Sequence, residues 1–341
     1  MAIKKTLLED IAKELNVSKT LVSMVINGKG DAYGISKKTQ EKVLLKAGEM
    51  EYTPNVFARA LRTGKSNLIC LLVADISNPF YSNIAKYVEK ELALKGYNLM
   101  ICSTDENIDR EEKLISLFAE QNMIDGLIIA TTSTSGEFFK KDRLRNFPIV
   151  FIDRYLPDIQ SNYVVANNYQ GSFEITDLLI HKGCKNILAL NITPSHISSL
   201  TERVKGYKDA LTKFNIPFKE ENLLEISFNN IQNDVRDKLL KRLKKTPKID
   251  AIYTLNNHIA TACLKVFNEI GFDAKKEGVY FASFDDINLF DFVKPNVISV
   301  SQPLEQIGIE AANLALELID NKETDLPVKK IVLPTSIISR N

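Results

Sequence analysis

TLLEDIAKELNVSKTLVSMVIN, residues 6–27, predicts two short helices that pack against each other across a tight turn. Thr6 and Glu9 have the spacing of a capping box, which places the start of the first helix near Leu7. Asn16 suits a left-handed turn, and Ser18 is a favourable cap for the second helix. Apolar residues of the first helix recur with the period of one buried face: Leu8, Ile11, Ala12 and Leu15.

The second of these helices would bury its apolar residues and direct a polar face outward. Outward side chains of a helix-turn-helix meet base edges and phosphates, and here they are Lys19, Thr20, Ser23 and Met24. A helical pair inside some larger core is the alternative interpretation. Charge favours nucleic acid, because residues 1–65 hold 12 Lys and Arg against 7 Asp and Glu, whereas the whole chain carries a net charge of +1.

A third helix is expected to follow the cap Ser36 and to complete a small core with Val43, Leu44, Ala47 and Met50. Residues 54–66, PNVFARALRTGKS, come next and are short, basic and bounded by Pro and Gly. A helix of this length is marginal in water unless a partner orders it. Two interpretations stay open: a segment that folds against DNA or a second copy, and a plain linker.

From residue 67 onward, apolar runs alternate with amphipathic stretches, which is the pattern of an α/β fold. Strands this uniformly apolar belong to parallel sheets covered by helices on both faces. About 275 residues suit two such sheets, so we expect two doubly wound parallel-sheet lobes with a ligand cleft beyond the carboxyl ends of their strands. The expected strands are 68–74, 97–102, 126–130, 148–153, 186–191, 251–255 and 279–284, and the expected helices are 82–95, 110–121, 169–181, 202–214, 231–244, 259–270 and 304–319.

Composition argues against several classes of function. The four cysteines are far apart and lack a C-x-x-C pair, so we expect free, buried thiols in a reducing cytoplasm. The sequence contains no signal region and no apolar run of membrane-spanning length. We therefore expect that the chain is neither exported nor inserted into a membrane. The three histidines lack metal-ligand spacing, and no nucleophile elbow or dinucleotide fingerprint occurs. We therefore expect no catalytic residues, metal or cofactor, and no enzymatic activity.

The chain resembles the LacI/GalR transcriptional regulators over essentially its full length. The order and spacing of several motifs carry the resemblance: TLLEDIAKELNVSKTLVSMVING at the start, YTPNVFARALRTGKS, LLVADISNPFY, IDGLIIA, FIDR, ERVKGYKDAL, YTLNN, SFDD and VSQPLEQIGIEAANLALELI. The resemblance implies a homodimer whose paired heads bind the two halves of a pseudo-palindromic operator in double-stranded DNA. It also implies lobes of periplasmic-binding-protein type, with a small-molecule effector between them.

The resemblance also assigns residues to DNA. Lys19, Thr20 and Met24 match positions that meet bases, although Arg is usual where Met24 stands. Thr6 and Ser18 match phosphate contacts, and Ser23 and Asn27 complete the expected face of the second helix. In the segment after Pro54, the resemblance implies a hinge helix that enters the minor groove, where an apolar wedge bends the duplex. Its expected DNA contacts are Asn55, Phe57, Ala58 and Leu61.

Seven residues match effector-binding positions, and their carboxylates, amides and guanidinium suit sugar hydroxyls: Asn78, Phe80, Asp153, Arg203, Phe228, Asn256 and Asp285. Simpler structural roles remain open for four of them. These alternatives are a strand-to-helix turn for Asn78, helix caps for Asp153 and Asp285, and a bridge between the lobes for Arg203. Asn257 and Asn167 stand where the family commonly has Asp, which bears on the identity of the ligand.

The expected domains are a helix-turn-helix head at 1–53, a hinge and linker at 54–66, and a two-lobed effector and dimerisation domain at 67–341. Lobe 1 is expected at about 67–165 and 300–326, and lobe 2 at about 166–299 and 327–341. The predicted function is a cytoplasmic transcriptional repressor whose operator affinity is set by a carbohydrate effector. A sugar-binding protein or enzyme that has lost DNA regulation is the alternative.

Overall fold

Residues 6–52, 65–194, 196–321 and 327–340 are described by the computed structural model, which divides the chain into two units, Met1–Ser66 and Asn67–Asn341. In the first unit, α1 (Leu8–Leu15), α2 (Lys19–Ile26) and α3 (Lys37–Glu49) surround a small apolar core. Asn16 adopts the left-handed conformation at a φ of 53°, and the Ser18 hydroxyl accepts from the Leu21 amide at 3.1 Å. The predicted helix-turn-helix is therefore confirmed.

Two details predicted for this unit are wrong. Helix α1 begins at Leu8, so Leu7 occupies the cap and the Asp10 carboxylate, not Glu9, accepts from the Leu7 amide at 2.8 Å. Thr6 instead donates its hydroxyl to the Met50 carbonyl at 2.8 Å. Leu44 was expected in the core of this unit, but it is 55% exposed. The buried face of α3 contains its neighbour Val43, and the next residue along a helix points in a different direction, here toward solvent.

Lobe 1 of the second unit has a six-stranded sheet: β1 (Leu68–Val73), β2 (Asn98–Ser103), β3 (Gly126–Ile129), β4 (Ile149–Ile152), β5 (Asn162–Ala166) and β11 (Lys330–Leu333). All its pairings are parallel, in the order β11-β5-β4-β3-β1-β2. Helices α4 (Pro79–Leu94) and α11 (Leu304–Asp320) pack on one face, and α5 (Ile108–Phe118) and α6 (Asp142–Arg145) on the other.

Lobe 2 repeats this plan with β6 (Ile187–Thr193), β7 (Leu223–Ser227), β8 (Ala251–Thr254), β9 (Tyr280–Phe284), β10 (Val297–Ser301) and β12 (Ser336–Ile338). Their order is β12-β10-β9-β8-β6-β7, parallel except for the pairing of β10 with β12. Helices α7 (Asn168–His181) and α8 (Ser198–Lys213) cover one face, and α9 (Ile231–Leu243) and α10 (Asn257–Ile270) the other. The expectation of two doubly wound lobes is confirmed.

The described chain crosses between the lobes three times, near residues 167, 302 and 334. The second and third crossings enclose α11 and β11, so lobe 1 continues to Leu333. The boundary expected after residue 326 is therefore wrong for this stretch, since β11 pairs with β5 in lobe 1. Pro334 explains the division, because it cannot donate to a strand ladder and separates two short strands in a run that appears continuous in sequence. Among the described residues, no helix is long and apolar enough to span a membrane.

Candidate functional site

A cavity lies between the two lobes, with about 580 Å³ of empty space when the part open to solvent is included. Its walls come from the segments that follow the carboxyl ends of strands in both sheets, which is where doubly wound folds bind ligands. The structure brings all seven predicted effector residues to these walls: Asn78, Phe80, Asp153, Arg203, Phe228, Asn256 and Asp285.

The lobe 2 wall is organised around Arg203, whose side chain is only 3% exposed. Its Nε donates to Asn168 Oδ1 at 2.8 Å and its Nη1 to the Leu255 carbonyl at 2.8 Å. The guanidinium lies 3.8 Å from the centre of the Phe284 ring, a cation–π arrangement, and its Nη2 lies 3.9 Å from Asp285 Oδ1. All these partners belong to lobe 2, so Arg203 is held rigidly within one lobe by these contacts.

Asp285 stands at a positive φ of 72°, directly after β9. Its Oδ1 accepts from Gln302 Nε2 at 2.6 Å, and its Oδ2 accepts from the Asn257 amide at the start of α10 at 3.3 Å. The carboxylate thus contributes to the helix start and lines the cavity at the same time. A non-glycine residue held in this conformation is a feature that clusters at functional sites.

The lobe 1 wall contains a charged cluster centred on Arg154. The guanidinium donates to Glu106 twice, at 2.9 and 3.0 Å, and to Asp153 Oδ2 at 3.2 Å. It also donates to the Thr131 carbonyl at 3.3 Å and to the Tyr81 hydroxyl at 3.1 Å. Burial opposes the charge of Arg154, but the surrounding oxygens outweigh it and raise the pKa of this guanidinium. Burial raises the pKa of Tyr81 as well, so its hydroxyl stays protonated and donates to Asp153 at 2.9 Å.

Hydrogen bonds join the two lobes across the cleft. Asn78 and Asn257 pair through their amides, with Asn257 Nδ2 donating to Asn78 Oδ1 at 2.8 Å and Asn78 Nδ2 donating in return at 3.4 Å. Asn78 Oδ1 also accepts from the Phe80 amide at 3.0 Å and caps α4. Asn78 therefore both forms the strand-to-helix turn and links the two lobes. A second link runs from the Tyr155 hydroxyl to Glu202 Oε1 at 2.8 Å.

The remaining predicted residues supply apolar surface and one cap. Phe80 is buried and meets the edge of Tyr81 at 4.9 Å between ring centres. Phe228 is half-buried at the lobe 2 side of the cavity. Asn256 Oδ1 accepts from the His258 amide at 2.7 Å and caps α10. Asn167 caps α7 and does not line this cavity.

Sequence reasoning missed several cavity residues, among them Tyr81, Glu106 and Arg154. Tyr81 and Arg154 lie next to predicted residues in the motifs NPFY and FIDR, and this position could have identified them as candidate cavity residues. Glu106 follows the end of β2, and polar residues at the carboxyl ends of parallel strands are candidates for a shared site. The pairing of Glu106 with Arg154, 48 residues away, carried no signal in the sequence.

The predicted DNA-contacting face of α2 is accessible in part. Lys19, Thr20 and Asn27 are exposed, and Ser23 and Met24 are half-buried. Asn27 Nδ2 donates to the Ser23 carbonyl at 2.6 Å, which fixes the end of the helix. Thr6 and Ser18 already hold intramolecular hydrogen bonds through their hydroxyls. The predicted hinge contacts Asn55, Phe57, Ala58 and Leu61 lie outside the described residues.

Comparison with known families matches both units. Residues 66–336 match a profile described as periplasmic binding proteins and sugar binding domain of the LacI family. Residues 7–55 match a profile described as bacterial regulatory proteins of the lacI family. Together the two profiles cover the head and the two lobes.

Individual relatives give the same result. The HTH-type transcriptional regulator DegA of Bacillus subtilis is 31% identical, over 99% of this chain and 98% of its own. The ribose operon repressor of Halalkalibacterium halodurans is 29% identical, over 98% and 96%. The crystal structure of the Lac repressor dimer bound to operator and the anti-inducer ONPF superimposes with a TM-score of 0.83, over 99% and 98% of the chains. At 19% identity, this last similarity concerns the fold.

Proposed function

The chain belongs to the LacI family of bacterial regulatory proteins, and from this premise we propose that it represses transcription at an operator under the control of a carbohydrate bound between its lobes. Membership of this family shows that the protein is a DNA-binding transcriptional regulator. The carbohydrate, the homodimer and the residue assignments are our proposal. We propose further that it acts in the cytoplasm, where operator DNA is found, and that it binds its effector without chemical turnover.

One observation supports the proposal above all: the seven predicted residues, six from five separate motifs together with Phe228, line a single cavity between the lobes. They combine hydrogen-bond donors and acceptors with two aromatic rings, a lining that suits a sugar. The name of the ribose operon repressor, a relative over nearly the full chain, is consistent with a sugar-linked role. Because the ligand contacts both walls, it favours one lobe geometry over another, and that difference in affinity is what regulates DNA binding.

The test is binding of purified protein to DNA upstream of its own and neighbouring genes, compared with random duplex. We expect one upstream fragment to bind more tightly, with an affinity that falls by about 10³ or more between 50 and 200 mM salt if about six phosphates are contacted. Equal affinity for upstream and random DNA would contradict regulation through these sites.

Variants then assign the contacts. Lys19→Ala should weaken specific binding, whereas Lys42→Ala removes the same charge from an exposed position on α3 and should change it little. Leu61→Ala tests the proposed minor-groove wedge in the same assay. If Lys19→Ala and Leu61→Ala both leave specific binding unchanged, the proposed contacts of these two residues are wrong. If the parent protein shows no specific binding, a sugar-binding protein without DNA function becomes the better description.

A further inference from the structure

We propose that the cleft accepts an uncharged, polyhydroxylated ligand and excludes its phosphorylated or carboxylated counterparts. This inference rests on the proposed function, which makes the cleft the effector site. The starting observation is the charge of the lining, which has four carboxylates and two guanidinium groups: Asp75, Glu106, Asp153 and Asp285 against Arg154 and Arg203. Since the whole chain carries a net charge of +1, this negative excess is local to the cleft.

Arg154, which would otherwise attract an anion, has its donors occupied. A guanidinium has five N–H groups, and Arg154 makes five hydrogen bonds to protein oxygens. Its partner Glu106 receives two of them in the side-by-side geometry that makes such pairs strong. Both side chains are about nine-tenths buried, at 8% and 10% exposure. An incoming phosphate would have to displace a buried carboxylate that is already well placed.

Arg203 has a different balance of bonds. Its Nε and one Nη1 hydrogen are committed to Asn168 and Leu255, while Nη2 lies 3.9 Å from Asp285, beyond hydrogen-bond distance. A sugar hydroxyl can accept from the guanidinium and donate to the carboxylate at once. A phosphate or carboxylate at the same place would bring its negative charge against Asp285. The pair therefore selects a group that both donates and accepts.

The size of the effect follows from Coulomb's law. A unit charge about 8 Å from an uncompensated like charge, at an effective dielectric constant of about 20, weakens binding by about 30-fold. Screening by salt reduces this, so we expect anionic counterparts to bind at least about 10-fold more weakly than the uncharged compound.

The experiment measures thermal shifts and calorimetric affinities of the full chain with matched sugars at millimolar concentrations. The uncharged probes are D-glucose, D-ribose, D-xylose and cellobiose. Their anionic counterparts are D-glucose 6-phosphate, D-ribose 5-phosphate, D-xylonate and cellobionate. The expected result is binding of at least one uncharged sugar, with its anionic counterpart at least about 10-fold weaker. Equal or tighter binding of the anionic counterpart would overturn the proposal, as would a panel in which no uncharged sugar binds.

A variant tests the structural cause. Glu106→Gln removes one carboxylate and leaves Arg154 with donors to offer, so affinity for the phosphorylated sugars should rise by about 10-fold relative to the uncharged sugars. Glu137→Gln is the matched control, because Glu137 is an exposed lobe 1 residue paired with Lys140 outside the cleft. An unchanged ratio in Glu106→Gln would contradict the role given to the Arg154 cluster. If that variant does not fold, Glu106→Asp supplies a shorter carboxylate that keeps the charge and should preserve the preference.

Operator binding with and without each sugar is measured on the same preparations. Absence of specific DNA binding under both conditions would count against the proposed function alone. A preference for anionic sugars with specific DNA binding present would count against this inference alone.

Discussion

The properties of single side chains in this protein differ from what the sequence predicts mainly because of the residues that surround them in the fold. All four cysteines are free, as predicted, but Cys102 is half-buried and not fully enclosed. A hydrogen bond from Cys70 and the nearby Arg110 charge lower the pKa of Cys102 to about 7. Burial raises the pKa of Cys184 to about 11 and raises that of Cys263 further. Thiols alike in the sequence are thus chemically distinct in the fold.

This difference predicts the order of alkylation by iodoacetamide. The thiolate is the reactive form, so Cys102 should react first, with a rate that rises through pH 7 as its thiol deprotonates. Mass spectrometry of peptides after short exposures gives the order. Cys102→Ser should remove the fast phase, whereas Cys184→Ser, the control, should leave it. Earlier labelling of Cys184 or Cys263 would contradict the prediction.

Among the elements, the helices of the head illustrate what local sequence determines. Ser18 and Ser36 both cap helices as predicted, each accepting from the amide three residues later. The first helix breaks the pattern because it starts one residue later than its Thr6–Glu9 spacing indicates. Helix ends depend on which acceptor the surrounding fold leaves available, and the Met50 carbonyl competes for the Thr6 hydroxyl.

The caps give a paired prediction. Ser18→Ala and Ser36→Ala should each destabilise the head by about 1 kcal/mol, increasing amide exchange in α2 or α3 by about fivefold. Hydrogen-exchange mass spectrometry of the full chain measures this. We expect only Ser18→Ala to weaken DNA binding beyond the stability loss, since Ser18 lies at the proposed phosphate contact. Equal DNA affinities for the two variants would contradict the proposed contact between Ser18 and a phosphate.

At the scale of the whole molecule, closure of the cleft depends on neutral amides as well as charges. The Asn78–Asn257 pair is buried and connects residues 179 positions apart. Because Asn257 replaces a common family Asp, this link carries no charge of its own. Hydrogen bonds between buried neutral groups do not change with pH over the range in which proteins fold, so closure through this pair should be insensitive to pH.

Asn257→Ala leaves the Asn78 amide without its partner and should shift closure toward the open form by about 1–3 kcal/mol. Small-angle scattering should show a larger radius of gyration for this variant than for the parent. Asn268→Ala changes an exposed residue on the same helix and serves as the control. Identical scattering from Asn257→Ala and the parent would show that other contacts hold the lobes together.

The seven effector residues were assigned through the family resemblance, and most of them line the cavity because they lie just after strands whose carboxyl ends meet at one edge of a sheet. The sequence did not predict β5, β7, β10, β11 or β12. Glu225 interrupts the apolar pattern of β7, and Ser299 interrupts that of β10. The sequence also did not predict the Arg154 cluster, which depends on three separate loops converging. Patterns along the chain locate strands and their ends, but contacts between distant loops arise only from packing.

The three crossings between the lobes have a consequence for synthesis of the chain. The edge strands β11 and β12 follow all the other described strands in chain order, yet they complete different sheets. Neither sheet can be complete before residue 330 has been synthesised, and both are completed within a few residues of each other. A chain released early, after Asp320, would lack one strand in each lobe, so a single truncation would damage both halves of the ligand-binding unit.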